Sequence, residues 1–485
     1  VTVVGRVLDR ALTEPGREAI VQDGTRLTAA QLSERVHGFA ATLAAAGLGP
    51  GDRVAIVPTI SIDAVAVRYA AALLACVTVL CPNTGVPGRL ARFVGDTGAR
   101  ALVVFPQTAA AAAEVGGVLR LSVGAVDGAV DVRHGPAAAG AIAAAAAGAL
   151  ALLVASGGTT GSSKVSRRGD EAWERMVDVG PVPDRRVLIC TSLAYVAQVH
   201  VDQALLGGGT VILRPRFDPA DVLATVEAER VTHLVLVEPL LVELVDHPDF
   251  LRRDRSSLQA ISHIGADCAP SLRRRLLART GPILVNPYGA SEVGVISVLA
   301  PPAYALDHEP DRLATAGMPL PGVDVRIERA DGTAAPAGEE GLVAVTSGQL
   351  ADGYTTAVAG SGFRGGRYAT GDLAVVQPDG FLRVRGRAAD RREIDGRSVM
   401  PIDVQDALCS HPDVRYAVAL PNGDRFAAVV VLAPGARLTE SELQRFVEQE
   451  RDPALAPDPL VVVDRVPVTE QGKPDRVVLA GMLGR

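Results

Sequence analysis

The stretch LALLVASGGTTGSSK, residues 150–164, reads as a short buried strand running into a glycine turn. Its second half is built for an anion. Gly157, Gly158 and Gly161 let backbone amides approach a ligand closely. Ser156, Thr159, Thr160, Ser162 and Ser163 add hydroxyl donors, and Lys164 adds a positive charge. Such a loop suits a polyphosphate. Only Ser162 and Ser163 separate Gly161 from Lys164, so the spacing is not the G-x-x-x-x-G-K-[ST] of P-loop nucleotide hydrolases. A Gly/Ser/Thr run also serves as a flexible linker, and the surrounding pattern has to decide between the two.

Around this loop, helical and strand patterns alternate. Residues 28–47 carry apolar positions at helical spacing and end in glycine. A strand at 52–57, an alanine-rich helix at 62–75 and a strand at 77–81 follow. Further strands are predicted at 99–105, 209–213, 231–237 and 260–265, each beside a helical segment. Strands joined by crossover helices imply mostly parallel sheets covered on both faces. After Gly322 the texture changes to short alternating strands typical of an antiparallel unit. From about Ala388 a smaller α+β unit runs to the end, with helices at 402–411 and 439–450 and a strand at 426–433. The expected fold class is therefore α/β. A large N-terminal domain, 1–387, holds the parallel sheets and a small β unit; a small C-terminal domain, 388–485, follows.

Of the 485 residues, 48% are hydrophobic and 21% charged, enough for a sizeable core and too apolar for disorder. A net charge of −7 argues against nucleic acid as a partner. Residues 135–161 carry no charge, but the first half is mostly alanine, so a soluble helix followed by a strand is expected there, not a membrane span. Charges at Arg6, Asp9, Arg10, Glu14, Arg17 and Glu18 argue against a secretory leader. Five cysteines show no paired spacing and read as buried thiols of a cytoplasmic protein.

Lysine is the informative residue. Of 48 basic residues only Lys164 and Lys473 are lysine; the rest are arginine. A lysine kept in such a background is expected where a compact, three-donor ammonium is needed that a planar guanidinium cannot imitate.

The loop at 156–164 resembles the serine/threonine/glycine-rich loop of the adenylate-forming superfamily, which includes acyl-CoA synthetases, aryl-CoA ligases and the adenylation domains of peptide synthetases. Further motifs follow in the family's order. PYGASEVG (287–294) is similar to its Y-G-x-[ST]-E motif, and GMPLPGVDVRI (317–327) and GEEGLVAVTSGQLADGY (338–354) to two linking signatures. YATGD (368–372) is similar to the T-G-D motif. GRAADRREIDGRSVMPIDVQ (386–405) matches the hinge and first C-terminal loop, and QGKPDR (471–476) the terminal lysine motif. The two lysines fall where this pattern most wants one.

The resemblance implies an ATP-dependent acid–thiol ligase that makes an acyl-CoA through an acyl-adenylate, using ATP/AMP, Mg²⁺ and coenzyme A. Lys473, on a mobile C-terminal domain, would bridge the substrate carboxylate and the α-phosphate. Ser156, Gly157, Gly158, Thr159, Thr160 and Gly161 would hold the outer phosphates with Lys164, and Glu292 would bind Mg²⁺. Asp372 would accept hydrogen bonds from the ribose, with support from Arg387. Tyr288 would stack on adenine, within the segment continued by Gly289, Ala290 and Ser291. Gly265 and Ala266, in IGADCAP (264–270), would line adenine and acyl group. Tyr195 and His263 read equally as acyl-pocket residues and as core. Gly396 would line the pantetheine tunnel after the C-terminal domain turns about a hinge near 388–390.

Several positions depart from the family. Ser163 and Val165 flank Lys164 where proline and glycine are usual, Ala389 stands at the hinge, and Glu393 replaces a common lysine. The segment at 192–200 has no histidine before His200 and no Phe-Asp pair for a substrate ammonium, which points to a hydrophobic or aryl acid. Three alternatives accompany the ligase reading: an adenylating enzyme that loads an acyl carrier protein, a ligase that has lost adenylation and only thioesterifies a supplied acyl-adenylate, and a silent protein that merely holds AMP or an acyl-adenylate.

Overall fold

The computed structural model describes residues 2–82, 86–134, 149–155, 164–265, 268–304, 310–356, 358 and 360–484. Two large sheets dominate the first 320 residues. In the seven-stranded sheet, all strands are parallel except the last, Val165–Gly169, which turns back antiparallel along Leu150–Ala155. Five central strands of the nine-stranded sheet, from Thr210–Leu213 through Arg186–Ile189, His233–Val237 and Ala260–Ile264 to Leu284–Ala290, are likewise parallel. Runs such as Ala101–Val104 and Thr210–Leu213 are buried at every position, as parallel strands covered on both faces must be.

The helices between the sheets follow from local chemistry. Ala29–Ala45 begins at a reciprocal cap in which Thr28 and Gln31 each satisfy the other's backbone. Its buried stripe, Leu32, Val36, Phe39, Ala40 and Leu43, recurs at helical spacing. Together with Ile62–Leu73 and Ala197–Gly207 it joins strands of both sheets in one apolar core. A polar hub lies inside this layer. Asp202, fully buried, accepts from Arg68 Nη1 and Nη2 (2.8 and 2.9 Å), Tyr69 Oη (2.8 Å), Trp173 Nε1 (2.9 Å) and Gln198 Nε2 (2.7 Å). These donors fill the acceptor capacity of the carboxylate, the condition for keeping a charge in the interior.

A five-stranded antiparallel sheet follows, made of Val323–Glu328, Gly341–Ser347, Phe363–Arg364, Arg367–Val376 and Leu382–Arg387. A 3₁₀ turn at Ala388–Asp390 leads into the hairpin Arg392–Ile394/Arg397–Val399. The chain ends in a smaller unit: a three-stranded sheet of Val414–Asn422, Arg425–Leu432 and Leu460–Val463, with helices Pro401–Cys409 and Glu440–Glu450. The whole is the expected α/β architecture, a large body of parallel sheets with a small C-terminal domain.

The small unit is seated firmly on the large one. Its core residues Val404, Leu408 and Tyr416 share one apolar cluster with Leu241, Leu272 and Leu276 of the large body. Asp246 accepts from Arg275 (3.0 Å) and from Arg415 Nε (2.8 Å), and Asp406 accepts from the Ser271 amide (2.7 Å). Residues 135–148 of the charge-free stretch lie outside the described residues, while Leu150–Ala155 forms the expected strand. Among the described residues no helix is long and apolar enough to cross a membrane.

Candidate active site

Parallel strands present their carboxyl ends along one crevice, where α/β folds usually bind ligands. Two such ends, Val237 and Ile264, receive the tip of a C-terminal hairpin. The hairpin closes through a bridge between Val468 and Pro474 and through the Thr469 amide, which donates to the Lys473 carbonyl (2.8 Å). At its tip Gly472 packs against Val237, where any β-carbon would collide. The next side chain, Lys473, lies across Gly265, whose φ of +92° is a conformation glycine adopts at little cost. Burial and the nearby Arg387 push the Lys473 ammonium below its ordinary value, and Glu292 opposes them. One further contact pins the tip: Ser192 Oγ donates to Glu470 Oε1 (3.0 Å). Tyr195 stands beside the same tip; burial, then the Glu470 carboxylate, raises its hydroxyl above the usual phenol value.

Beside the lysine, the strand Leu284–Ala290 brings Tyr288 to Asp372. The Tyr288 hydroxyl donates to Asp372 Oδ2 (2.6 Å), and Arg387 Nε pairs with Asp372 Oδ1 (3.1 Å). Asp372 and Arg387 are cross-strand partners in register, which explains their contact. Arg387 also donates to the Thr370 carbonyl, and the Thr370 hydroxyl accepts from the Asp372 amide (3.1 Å). The ladder shifts register between Tyr288 and Gly289, and a β-carbon at Gly289 would meet the Gly294 backbone. Ala290 ends the strand, and the Ser291 carbonyl accepts from Arg168 Nη2 (2.6 Å).

A third group completes the crevice. Glu292 is 6% exposed and accepts from the Tyr354 hydroxyl at 2.8 Å. Lys164 Nζ lies 5.7 Å from the centroid of the Tyr354 ring, within cation–π range. The Tyr354 hydroxyl also lies 3.4 Å from that of Tyr368, and Phe363 meets its ring edge-on at 5.3 Å. Burial, Tyr368 and Glu292 together raise the Tyr354 phenol well above its ordinary value, so it stays a donor. Arg168, fully buried, spans the Ser291 and Gln349 carbonyls; burial lowers it to about 10. A lysine within the field of a buried carboxylate, a second carboxylate fixed by a hydroxyl and a guanidinium, and a second lysine over an aromatic ring form a surface suited to a nucleoside polyphosphate.

Comparison with known proteins gives the family. The family model for AMP-binding enzymes matches residues 8–355, and that for the AMP-binding enzyme C-terminal domain matches 403–473. The chain belongs to the AMP-binding enzyme family. Among curated relatives, a feruloyl-CoA synthase of Amycolatopsis sp. is 32% identical over 483 residues, covering 96% of this chain and 95% of that protein. A medium/long-chain-fatty-acid–CoA ligase of Mycobacterium tuberculosis is 33% identical over 344 residues, covering 67% and 60%. Among solved structures, the amide bond synthetase McbA of Marinactinospora thermotolerans superposes with a TM-score of 0.87 at 29% identity, covering 99% of each chain.

Some of the other residues expected from the family pattern lie outside the described residues. Ser156, Gly157, Gly158, Thr159, Thr160, Gly161 and Ala266 lie outside the described residues. His263 is fully buried on Ala260–Ile264; among the described residues neither ring nitrogen has a hydrogen-bond partner, and burial, then Arg273, lowers it to about 3. Gly396 turns its hairpin at φ +74°, and a β-carbon there would meet nothing within 4 Å. Of the departures, Val165 is buried in a strand, and Glu393, 57% exposed, pairs with Arg391 at 3.3 Å. Tyr354 and Arg168 are site residues that the motifs alone did not single out. The signal for Tyr354 was in view, since it closes the linking signature 338–354.

Proposed function

We propose that this AMP-binding enzyme is an ATP-dependent acid–thiol ligase that makes an acyl-CoA through an acyl-adenylate. One observation carries the reading: Lys473 lies over Gly265, within the fields of Arg387 and Glu292, so the C-terminal lysine belongs to the same site as the candidate ribose and phosphate groups.

The first half-reaction joins two anions. A carboxylate oxygen of the acid attacks the α-phosphorus of ATP; the new P–O bond forms as the bridging oxygen departs with pyrophosphate. The barrier is largely electrostatic. Lys473 neutralises charge between carboxylate and α-phosphate, and its desolvated ammonium acts with little water to screen it. Asp372, held by Tyr288 and Arg387, accepts from the ribose hydroxyls. Lys164, with the 156–163 loop, binds the departing pyrophosphate. Glu292 suits Mg²⁺, since its carboxylate, held by the Tyr354 hydroxyl, offers the hard oxygen such an ion takes. Bound there, Mg²⁺ would neutralise phosphate charge. In the second half-reaction a thiol sulfur attacks the acyl carbonyl and AMP leaves.

The 1–387/388–485 division, with rotation about 388–390, belongs to this proposal; a β-carbon-free turn at Gly396 suits the pantetheine arm. A hydrophobic or aryl acid is the substrate class, in line with the feruloyl and fatty-acid relatives. Loading of a carrier protein is tested by competing CoA against a holo carrier. Five buried cysteines, none of them in a disulfide, suit a cytoplasmic setting.

The test is acid-dependent ATP–pyrophosphate exchange over a broad panel of carboxylic acids, with Lys473→Ala alongside, followed by thioester formation with CoA. Exchange that needs the acid and vanishes in the variant supports the proposal. Absence of exchange with thioester formation from preformed acyl-adenylate would instead identify a ligase without adenylation.

A further inference from the structure

The chain on either side of Lys164 lacks the stiffening residues of the family pattern, yet the lysine is held from another direction. Residues 352–355 lie antiparallel to the strand that follows it. The Arg167 amide donates to the Gly353 carbonyl (2.8 Å), the Asp352 amide to the Arg167 carbonyl (2.8 Å), and the Thr355 amide to the Val165 carbonyl (2.9 Å). One residue upstream, the Ala351 amide donates to the Glu292 carbonyl (2.8 Å). A single strap, 351–355, thus ties the Lys164 strand to the Glu292 turn. At its centre Tyr354 touches both functional groups: its hydroxyl donates to Glu292 Oε1 at 2.8 Å, and its ring carries Lys164 Nζ at 5.7 Å.

We infer that Tyr354 is the positioning residue that sets the spacing between Lys164 and Glu292 for a divalent-cation–pyrophosphate complex. The argument is geometric. A carboxylate that serves as a metal ligand needs one rotamer, and the Tyr354 hydroxyl on Oε1 fixes it, while the Tyr368 hydroxyl, 3.4 Å from that of Tyr354, stands beside the same carboxylate. A flexible lysine aimed at the adjoining phosphates needs a partner that orders it without removing its charge or its donors, and an aromatic face does that. One tyrosine performs both tasks, so the distance between cation and carboxylate is set by a rigid ring. The inference rests on the ligase reading for the ligand's identity.

The experiment is calorimetric titration of the full-length protein with inorganic pyrophosphate, with and without Mg²⁺, for wild type, Tyr354→Phe and Tyr354→Leu. Tyr354→Phe keeps the ring and removes the hydroxyl, so the gain in affinity that Mg²⁺ brings is expected to shrink about tenfold while metal-free binding stays within about twofold. Tyr354→Leu also removes the ring, and metal-free binding is expected to weaken about threefold further. If Tyr354→Leu fails to fold, the Phe variant still decides the matter. An undiminished Mg²⁺ gain in Tyr354→Phe would overturn the inference, as would equal losses with and without Mg²⁺. Wild type that shows this Mg²⁺ gain, and loses it in Tyr354→Phe, but shows no acid-dependent exchange would sink the ligase reading and leave the positioning role standing. Wild type that exchanges while Tyr354→Phe keeps its Mg²⁺ gain would do the reverse.

Discussion

Lys473 and Gly265 compete for one space. A β-carbon built on Gly265 would lie 2.8 Å from Lys473 Cε and 3.4 Å from its Cγ, so a side chain at 265 would force the lysine to shift from its present path. Gly265→Ala is expected to displace the ammonium and to strain a backbone at φ +92°. ATP–pyrophosphate exchange should fall at least about tenfold, for loss of an aligned charge. Thioester formation from preformed acyl-adenylate, which does not use Lys473 on the proposed mechanism, should fall less. Equal losses in both half-reactions would refute this.

The pH dependence of adenylation follows from the same lysine. Burial and Arg387 lower the Lys473 ammonium below its ordinary 10.5. The protonated form is the one that offsets phosphate charge, so exchange should decline as pH rises, beginning at lower pH than an ordinary lysine would allow. Removing a neighbouring cation favours the charged form, so Arg387→Gln should move the alkaline decline upward. Any residual exchange in Lys473→Arg should lack the decline, since guanidinium stays charged. A decline unchanged in both variants would assign it to another group.

Asp202 tests the layer between the sheets. Asp202→Ala would strand the Arg68 guanidinium in the core, and breaking a buried pair costs about 3–5 kcal/mol. A large drop in thermal midpoint is expected, and adding Arg68→Met should recover only the part due to the stranded guanidinium, since Tyr69, Trp173 and Gln198 still lose their acceptor. A single variant that melts with wild type would remove the hub from the stability account.

His263 predicts an acid limb in folding stability. It stays neutral in the folded protein down to about 3, whereas the unfolded chain binds a proton at the ordinary value of 6.5. The unfolded state therefore takes up protons first, and stability is lost as pH falls from 6.5 towards 3. At pH 5 the penalty is roughly 2 kcal/mol. His263→Leu should lose less stability than wild type between pH 7.5 and pH 5 in urea unfolding. An identical loss would show that the histidine does not stay buried and neutral.

Much of the architecture was legible because parallel strands and their helices write their burial into local periodicity. The apolar runs predicted at 77–81, 99–105 and 209–213 contain the strands Val77–Leu80, Ala101–Val104 and Thr210–Leu213, each buried at every position, and the stripe of Ala29–Ala45 faces the core. Glu292, Asp372 and Arg387 were named from motifs; Arg387 pairs with Asp372, and Arg387 and Glu292 both act on Lys473. Tyr354 was not, since nothing in its local sequence says that its hydroxyl meets a carboxylate 62 residues earlier in the chain. His263 was undecided for a related reason: one residue of strand register separates a crevice-facing side chain from a buried one.

By itself, then, the sequence determined which chemical groups are present and which local segments carry them: a run of glycine, serine and threonine, the motif carboxylates Glu292 and Asp372, and two lysines kept amid arginine. Propensity, capping and periodicity act over a few residues, and so do the motifs that reveal them. The tertiary structure decided the distances. Arg168 reaches the Gln349 carbonyl across 181 residues of sequence, and the Ser192 hydroxyl reaches Glu470 across 278. Such contacts are set by sheet register and by the packing of one unit on another, which come from many small apolar contacts summed over the whole fold and from no single segment.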